Sequence, residues 1–433
     1  MTDKDLCRDL LSFIEKSPSC FHVIANIKSK LDANGFVELK ESMDWDLTEG
    51  GGYYIVRNDS SVVAFRIPEE AVNGFHMVAS HSDSPTFKIK ERPEKESEKQ
   101  YMLLNTEKYG GMILSTWLDR PLSVAGRIVV KQEDETLITK LVNIDKDFCV
   151  IPNLAVHMNS EINKGMEYNP QVDMLPLCGQ SKKDADNWFL EEIAEAAGVQ
   201  ADRILGQDLY LYVRQKGCIL GREGEYLLSP KLDDLQCVFA SVEAFVQSKP
   251  QNYISVCAVF DNEEVGSSTK QGADSDLLNS VLERICDAMP EALLKGRRSR
   301  LKEKLLADSF LISADNAHGV HPNHPQKADP TNRPYLNGGI VIKFHGGQKY
   351  TTDAVSAARI KAMCRKAGME WQTYANRSDI PGGSTLGNIS NTHVSVSSAD
   401  IGLAQLAMHS AVETAGAKDL ADAVKLFNVF FAE

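Results

Sequence analysis

The sequence lacks the signature motifs of several common enzyme classes. It contains no Gly-Lys dipeptide, no His-Glu-x-x-His, no Gly-x-Ser-x-Gly and no Gly-x-Gly-x-x-Gly. These absences argue against a P-loop nucleotide site, a single-zinc protease helix, a serine-hydrolase elbow and a dinucleotide-binding turn. No run approaches 18 apolar residues, and the N-terminus has no basic-then-apolar leader. We therefore expect no membrane partner and no secretion signal.

Cysteine pairing and positive charge are also scarce. The nine cysteines are scattered, odd in number and never spaced Cys-x-x-Cys, which is typical of reduced thiols in a cytoplasmic protein. The net charge is 47 − 60 = −13. An acidic chain of this kind argues against a nucleic-acid partner, because phosphate binding needs a basic surface.

The length of 433 residues predicts two domains, one inserted into the other. An α/β pattern occupies residues 1–86 and 226–433, and residues 87–225 are rich in short β-type segments, with one helix over 186–197. We expect a charged, solvated linker or loop at 91–99, a long loop at 160–185 and an exposed basic loop at 295–300. The predicted fold class is α/β, with a mixed-sheet catalytic domain and an inserted β-rich domain.

Three buried strands are predicted to end in polar clusters. Residues 254–260 run into Glu263 and Glu264, residues 75–80 into His81 and Asp83, and residues 309–314 into Asp315. Ligands bind at the carboxyl ends of strands in open α/β sheets. Buried carboxylates at such a place are costly unless a positive charge accompanies them.

These strand ends, together with two residues from elsewhere in the chain, predict a metal site. Asp233 and His409 complete a set of two histidines and three carboxylates with His81, Glu264 and Asp315. Imidazole and carboxylate without thiolate suits zinc, with manganese or cobalt as alternatives. Five ligands are too many for one catalytic zinc but fit two metals that share a bridging carboxylate.

Two further acidic residues have distinct predicted roles in this site. Asp83 would accept the imidazole N–H of His81 and so fix its tautomer. Glu263 would be general base and then general acid.

Each residue taken alone has a simpler interpretation. An isolated His81 or His409 is more often a core or surface histidine, and Asp233 could be a helix N-cap ahead of Leu235. Their joint placement at strand ends favours a metal-dependent hydrolase over these alternatives. We expect His409 within a last helical region or leading into it.

Eight motifs of the chain resemble those of the aspartyl aminopeptidase family of dinuclear zinc exopeptidases over nearly the whole length. They are Ser17-Pro-Ser-Cys-Phe-His-Val23, Ala79-Ser-His-Ser-Asp83, Trp117-Leu-Asp-Arg-Pro121, Ile151-Pro-Asn-Leu-Ala-Val-His-Met158, Lys231-Leu-Asp-Asp-Leu235, Phe260-Asp-Asn-Glu-Glu-Val-Gly266, Ser313-Ala-Asp-Asn-Ala-His-Gly-Val-His-Pro-Asn323 and Met408-His-Ser410.

The resemblance implies a role for each member of the predicted metal set. His81 and Glu264 or Asp315 would be terminal ligands, Asp233 the bridge between two zinc ions, and His409 the ligand that closes the set. Glu263 would act on the metal-bound water.

The resemblance also implies residues that contact substrate. His157, from the inserted domain, would be either a metal ligand or a residue that reaches a neighbouring subunit's active site. Lys343, with His318 and Tyr350, would recognise an acidic side chain. Lys343 alternates with apolar neighbours in a predicted strand over 339–344, so it faces either a pocket or solvent.

The implied activity is removal of an N-terminal residue, Asp or Glu, from short peptides by metal-activated water. The inserted domain would build dimers that assemble into a large closed homo-oligomer. The alternatives are a neutral- or basic-residue aminopeptidase, an N-deacylase of the same dinuclear class, and a non-catalytic scaffold of that fold.

Overall fold

The computed structural model describes residues 2–181, 187–294, 296 and 299–433. Within them the chain forms ten α-helices, α1 to α10: Asp3–Glu15, Cys20–Ala33, Trp188–Ala197, Leu232–Gln247, Leu277–Asp287, Glu291–Leu294, Leu301–Ala307, Ala354–Ala367, Leu386–His393 and Asp419–Phe431. The predicted start of the helix over 186–197, residue 186, lies outside the described residues, as do residues 295, 297 and 298 of the predicted basic loop.

The described strands are β1 to β20 in chain order, and they form three sheets. Their bounds are Val37–Glu38, Gly52–Arg57, Ser61–Arg66, Gly74–His81, Thr86–Ser97, Tyr101–Tyr109, Leu122–Lys131, Leu137–Asn143, Leu177–Gln180, Ile204–Val213, Cys218–Leu220, Tyr226–Ser229, Tyr253–Phe260, Phe310–Ala314, Ala317–His318, Ile340–Phe344, Trp371–Ala375, Ser397–Gly402, Ala404–Leu406 and Glu413–Gly416.

The largest sheet has nine strands in the order β1-β2-β3-β13-β4-β14-β18-β16-β17. Its centre, β13-β4-β14-β18, is parallel, and Phe260 pairs with His81 while Ser313 pairs with Ala79. The three predicted buried strands are therefore neighbours whose carboxyl ends meet at one edge. Every residue of β4 is buried, as expected for a strand covered on both faces.

Helices cover the two faces of this sheet. Val78 and Val259 pack into a core with Phe245 of α4 and Phe427 of α10. Met77 and its neighbours on the opposite face pack with residues of α5, α7 and α9. This layered arrangement confirms the predicted α/β, mixed-sheet fold class. Among the described residues, no helix is long and apolar enough to cross a membrane.

The second sheet is antiparallel, with six strands in the order β8-β7-β10-β5-β6-β9. All six lie between residues 86 and 213, and β5 begins one residue before the predicted inserted segment of 87–225. The expected linker at 91–99 is wrong: residues 91–97 belong to β5, which pairs with β6 despite a register shift between Ile89 and Glu94. Their charged side chains are mostly solvent-exposed, while main-chain hydrogen bonds hold the strand.

The third sheet has five short strands, β11-β12-β20-β19-β15. It joins residues 218–229 to residues 404–416, far apart in sequence. His409 lies in the turn between β19 and β20, and the last helix, α10, begins only at Asp419. The sequence does not predict this sheet, because its strands are only two to four residues long.

Candidate metal centre

The carboxyl ends of three parallel strands bring the first group of predicted residues together. His81 is the last residue of β4, and Asp315 directly follows β14. Glu263 and Glu264 form a 3₁₀ turn just after β13, entered through Asn262 with a φ of 62°. Asparagine tolerates this left-handed conformation better than most residues. The strand pairing thus determines which side chains meet.

Two further residues reach the same edge from other elements. Asp233 is buried near the start of α4, where its backbone has non-helical angles and its side chain makes no cap. The N-cap interpretation of Asp233 is therefore wrong. His409 adopts a φ of 66° in the turn ahead of β20.

Asp233 lies between the two histidines. Its Oδ1 is 3.5 Å from Nε2 of His81, and its Oδ2 is 3.6 Å from Nε2 of His409. The same His409 nitrogen is 3.4 Å from Oε2 of Glu264. The Asp233 carboxylate therefore lies between His81 and His409, with one oxygen near each imidazole ring.

Three overlapping groups of side chains have ligand atoms within 4.8 Å of one another: His81, Asp233 and Asp315; Asp233, Glu264 and His409; His81, Glu263 and Glu264. The first two groups share Asp233. This arrangement could hold two cations side by side with a shared carboxylate between them.

The charges and hydrogen bonds of the cluster fit metal ions. Oδ1 of Asp233 and Oε1 of Glu264 are buried without a hydrogen-bond partner, a costly state that a bound cation would relieve. Burial, reinforced by neighbouring carboxylates, raises the pKa of Glu264 well above its usual value and that of Glu263 to about 8. The donor set of imidazole and carboxylate suits zinc, manganese or cobalt.

Asp83 supports both sides of the cluster. Its Oδ1 lies 3.4 Å from Nδ1 of His81, and its backbone carbonyl lies 3.1 Å from the same nitrogen. The two carboxylate oxygens also accept the backbone N–H groups of Glu263 and Glu264, each at 3.2 Å. Asp83 therefore orients the His81 ring and fixes the glutamate turn.

Several supporting residues escaped the sequence analysis. Tyr109 of the second sheet donates to Asp83 at 2.7 Å, and Asp234 accepts the backbone N–H of His81 at 3.2 Å. The carbonyl of Gly111 faces Nδ1 of His409 at 3.0 Å, and Glu413 contacts two of the ligand-bearing turns. Among these supporting residues, only Asp234 has a local sequence signal, because it directly follows the predicted ligand Asp233. Tyr109, Gly111 and Glu413 come from strands or turns whose pairing a single sequence does not reveal.

Lys343 is buried and belongs to the same edge of the sheet. Its Nζ donates to the carbonyls of Asp315 (2.8 Å) and Asn316 (3.1 Å) and lies 3.4 Å from Oδ2 of Asp315. It also lies 5.2 Å from the ring centroid of Tyr350. Burial would lower the pKa of Lys343, but the Asp315 carboxylate outweighs it and raises the pKa above its usual range. Lys343 therefore faces the protein interior, and the alternative that it points into solvent is excluded.

His318 and His157 differ in their relation to this region. The ring of His318 packs edge-on against Tyr374, which in turn contacts Tyr350 with ring centroids 6.3 Å apart. His157 lies in an exposed turn and belongs to none of the three ligand groups found among the described residues. Within one chain, the structure does not bring His157 to the cluster.

Comparisons with known proteins give a consistent family assignment. The family model for the aminopeptidase I zinc metalloprotease family (M18) matches residues 13–431. A probable M18 family aminopeptidase 2 from Clostridium novyi (strain NT) is 48% identical over 428 residues, 98% of each chain.

Solved structures are similar over nearly the whole chain. A chain in the cryo-EM structure of the Ape4 and Nbr1 complex has a TM-score of 0.95 and 34% identity, covering 99% of this chain and 86% of that one. A chain of the S. cerevisiae mApe1 dodecamer has a TM-score of 0.86 and 28% identity, covering 99% and 96%. The resemblance drawn from the motifs is confirmed: the chain belongs to the M18 family of zinc metallo-aminopeptidases.

Proposed function

We propose that this enzyme removes an N-terminal residue, Asp or Glu, from short peptides, using two zinc ions per subunit. The observation that carries the proposal is the pair of ligand groups that share Asp233, at the edge where three parallel strands end. Manganese or cobalt would suit the same donors.

His81, Asp233 and Asp315 would hold one ion, and Asp233, Glu264 and His409 the other. Bound there, the ions would supply Lewis acidity for the scissile carbonyl and lower the pKa of water. Asp83 and Tyr109 would keep the His81 ring and the glutamate turn in place through the hydrogen bonds already described.

Glu263 would carry the proton. It stands in the cluster beside His81 and Glu264 but belongs to neither group that shares Asp233. Burial and the nearby carboxylates of Asp315 and Asp83 raise its pKa to about 8, in the range where a carboxyl group can accept and return a proton near neutral pH. Glu263 would take a proton from water at its carboxylate and deliver it to the departing amine.

Lys343, His318 and Tyr350 would form the subsite for the N-terminal side chain. A buried ammonium favours a substrate carboxylate and disfavours neutral side chains. The three N–H donors of Lys343 already face three protein acceptors. Direct contact with substrate would therefore replace its longest contact, the 3.4 Å one to Oδ2 of Asp315.

That occupancy of Lys343 also favours a second candidate, an aminopeptidase for neutral or basic residues. A panel of Asp-, Glu-, Leu- and Lys-anilides with N-acetyl amino acids, each with and without chelator, separates these specificities and tests for N-deacylase activity. Faster release of Asp and Glu is the expected result. Rapid release of Leu but not Asp would contradict the acidic preference.

We also propose that residues 87–225 form an inserted domain that builds a closed homo-oligomer. Leu154, Val156 and Met158, which flank His157, are exposed by 46%, 51% and 74%, and clustered exposed apolar residues are typical of protein contacts. The S. cerevisiae relative was solved as a dodecamer. In such an assembly the His157 turn would reach a neighbouring subunit's site, and His157 would contact substrate or metal there.

The proposed location is the cytoplasm. All nine cysteines are free, which is typical of a reducing compartment.

A further inference from the structure

We infer that Glu413 is a positioning residue that holds the two halves of the metal centre at a fixed separation. The inference deepens the proposed function and rests on it, because it concerns how the chain arranges the ligands of the proposed ions. Glu413 itself belongs to none of the three ligand groups described above.

One carboxylate connects the two turns that carry Asp233 and His409. Oε2 of Glu413 accepts the backbone N–H of Asp233 at 3.0 Å, and Oε1 accepts the backbone N–H of His409 at 2.7 Å. The side chain is buried, with only 2% of the residue exposed. In a buried setting, each of these hydrogen bonds is expensive to lose.

The third sheet places this carboxylate where it can reach both turns. Glu413 is the first residue of β20, and it pairs with Ser229 at the end of β12. The chain continues from Ser229 into the turn that presents Asp233. His409 lies only four residues before Glu413 and has a left-handed φ of 66°, which is uncommon for a non-glycine residue.

A neighbouring amide network fixes the orientation of the Glu413 side chain. Gln405 Nε2 lies 3.5 Å from Oε1 of Glu413, and Gln405 Oε1 accepts a hydrogen bond from Asn316 at 2.8 Å. Asn316 follows Asp315 directly, and its side chain also donates to the carbonyl of Leu232 at 2.8 Å. The segments that present Asp233, Asp315 and His409 are therefore cross-linked through one network.

The role requires both oxygens of a carboxylate. In Glu413→Gln the amide NH₂ group would face one of the two backbone N–H donors, so only one could remain satisfied. Residues that orient metal ligands typically contribute about 10-fold to 100-fold in metal affinity. We expect Glu413→Gln to bind zinc and cobalt about 10-fold to 100-fold more weakly than the unchanged protein, by competition with a chelator.

Asp419→Asn is the matched control. Asp419 is also fully buried and its carboxylate also accepts two backbone N–H groups, from Asn337 (2.7 Å) and Gly339 (2.9 Å), away from the ligand groups. Both variants should lose thermal stability, but only Glu413→Gln should lose metal affinity and change the Co²⁺ absorption spectrum. Equal metal affinity in Glu413→Gln and the unchanged protein would overturn the inference.

Glu413→Asp provides a second variant should Glu413→Gln fail to fold. It keeps the charge but shortens the side chain by one methylene, so it cannot reach both turns, and it should also weaken metal binding. If the unchanged protein bound no divalent metal, the proposed function would fail instead. The two failures are thus distinguishable.

Discussion

The candidate metal site at one edge of the nine-stranded sheet differs sharply in burial and charge from the turn that carries His157. The edge is buried, crowded with carboxylates and complete within one chain. The His157 turn is exposed, is flanked by exposed apolar side chains and contributes to none of the ligand groups found among the described residues. The contrast shows that one chain brings the candidate ligand residues together by itself, whereas the proposed role of His157 requires a second subunit.

Burying several carboxylates close together is energetically costly, which explains why many hydrogen bonds hold the ligand-bearing turns of the candidate metal site. Burial, together with repulsion between neighbouring carboxylates, favours the protonated forms and raises the pKa values of Glu263, Glu264 and Asp315. Backbone N–H groups directed at Asp83 and Glu413 hold the ligand-bearing turns in place.

The largest expected effect separates chemistry from metal binding within the edge. Glu263→Gln removes the proposed proton carrier, and we expect turnover of a peptide substrate to fall about 10²-fold to 10⁴-fold while metal content stays unchanged. Glu70→Gln, in an exposed glutamate pair away from the site, is the control and should keep full activity. Near-normal turnover in Glu263→Gln would show that the assignment of the base is wrong.

The next effect tests whether the two regions meet across subunits. His157→Ala should lose about 10-fold to 100-fold in kcat/KM, the scale of one lost buried polar contact. Its metal content separates the two proposed roles, because it stays unchanged if His157 contacts substrate and falls if His157 is a metal ligand. Because the Glu263→Gln chain still carries His157, co-expressed mixed oligomers of these two variants should regain activity.

If the two variants are produced 1:1 and pair at random, half of the dimers are mixed, and one of the two sites in each mixed dimer combines an intact Glu263 with an intact His157 from the partner, so roughly a quarter of all sites would be intact. Activity no higher than that of the separate variants would mean that His157 does not act on a neighbouring subunit.

A smaller effect concerns the pH dependence of the metal-free protein. The pKa of Glu263 is raised from 4.5 to about 8 in the folded state, so the folded protein holds a proton that the unfolded chain releases. The stability from this group is fully present below about pH 4.5 and is lost as the pH rises through 8, at up to about 1.4 kcal/mol per pH unit.

Urea unfolding between pH 5 and 8 should therefore show declining stability without metal and a flatter profile with zinc. In the metal-free protein, Glu263→Gln should reduce the pH dependence of the free energy of unfolding by the contribution of one titrating proton. A metal-free stability that rose steadily over this range would contradict the crowded-carboxylate account.

The smallest effect on the folded chain is expected at the exposed turn. Met158 is 74% exposed, so Met158→Ser should change the free energy of unfolding of the chain by no more than about 0.5 kcal/mol. It should nevertheless weaken self-association, measured by analytical ultracentrifugation. Unchanged association would place the subunit contact elsewhere on the surface.

The residues at the carboxyl ends of the central strands can be predicted because their sequence signals are local. Apolar runs that end in His81, Glu264 and Asp315 each predict a buried strand with a polar terminus, and the α/β pattern predicts that parallel strands end together. The structure brings all of the predicted strand-end residues into one cluster. Lys343 was also placed on the opposite side from its apolar neighbours, and the structure shows that this side is buried.

The features that sequence reasoning missed depend on long-range pairing. Tyr109 reaches Asp83 only because β6 of the second sheet ends at the cluster, and Glu413 reaches Asp233 only because β20 pairs with β12. The charged residues 91–97 have no alternating apolar pattern and so predict a linker or loop, although the backbone of residues 94–97 pairs with β6. Short strands held by distant partners carry little local signal.

The most direct test of the account is a metal titration of the chelator-treated protein with peptidase activity followed in parallel. The account predicts that zinc binds at two equivalents per chain, and that activity toward an Asp- or Glu-initiated peptide reaches its maximum at the second equivalent. Full activity in the chelator-treated protein before any metal is added, or maximal activity with no divalent metal bound, would contradict the dinuclear centre built around Asp233.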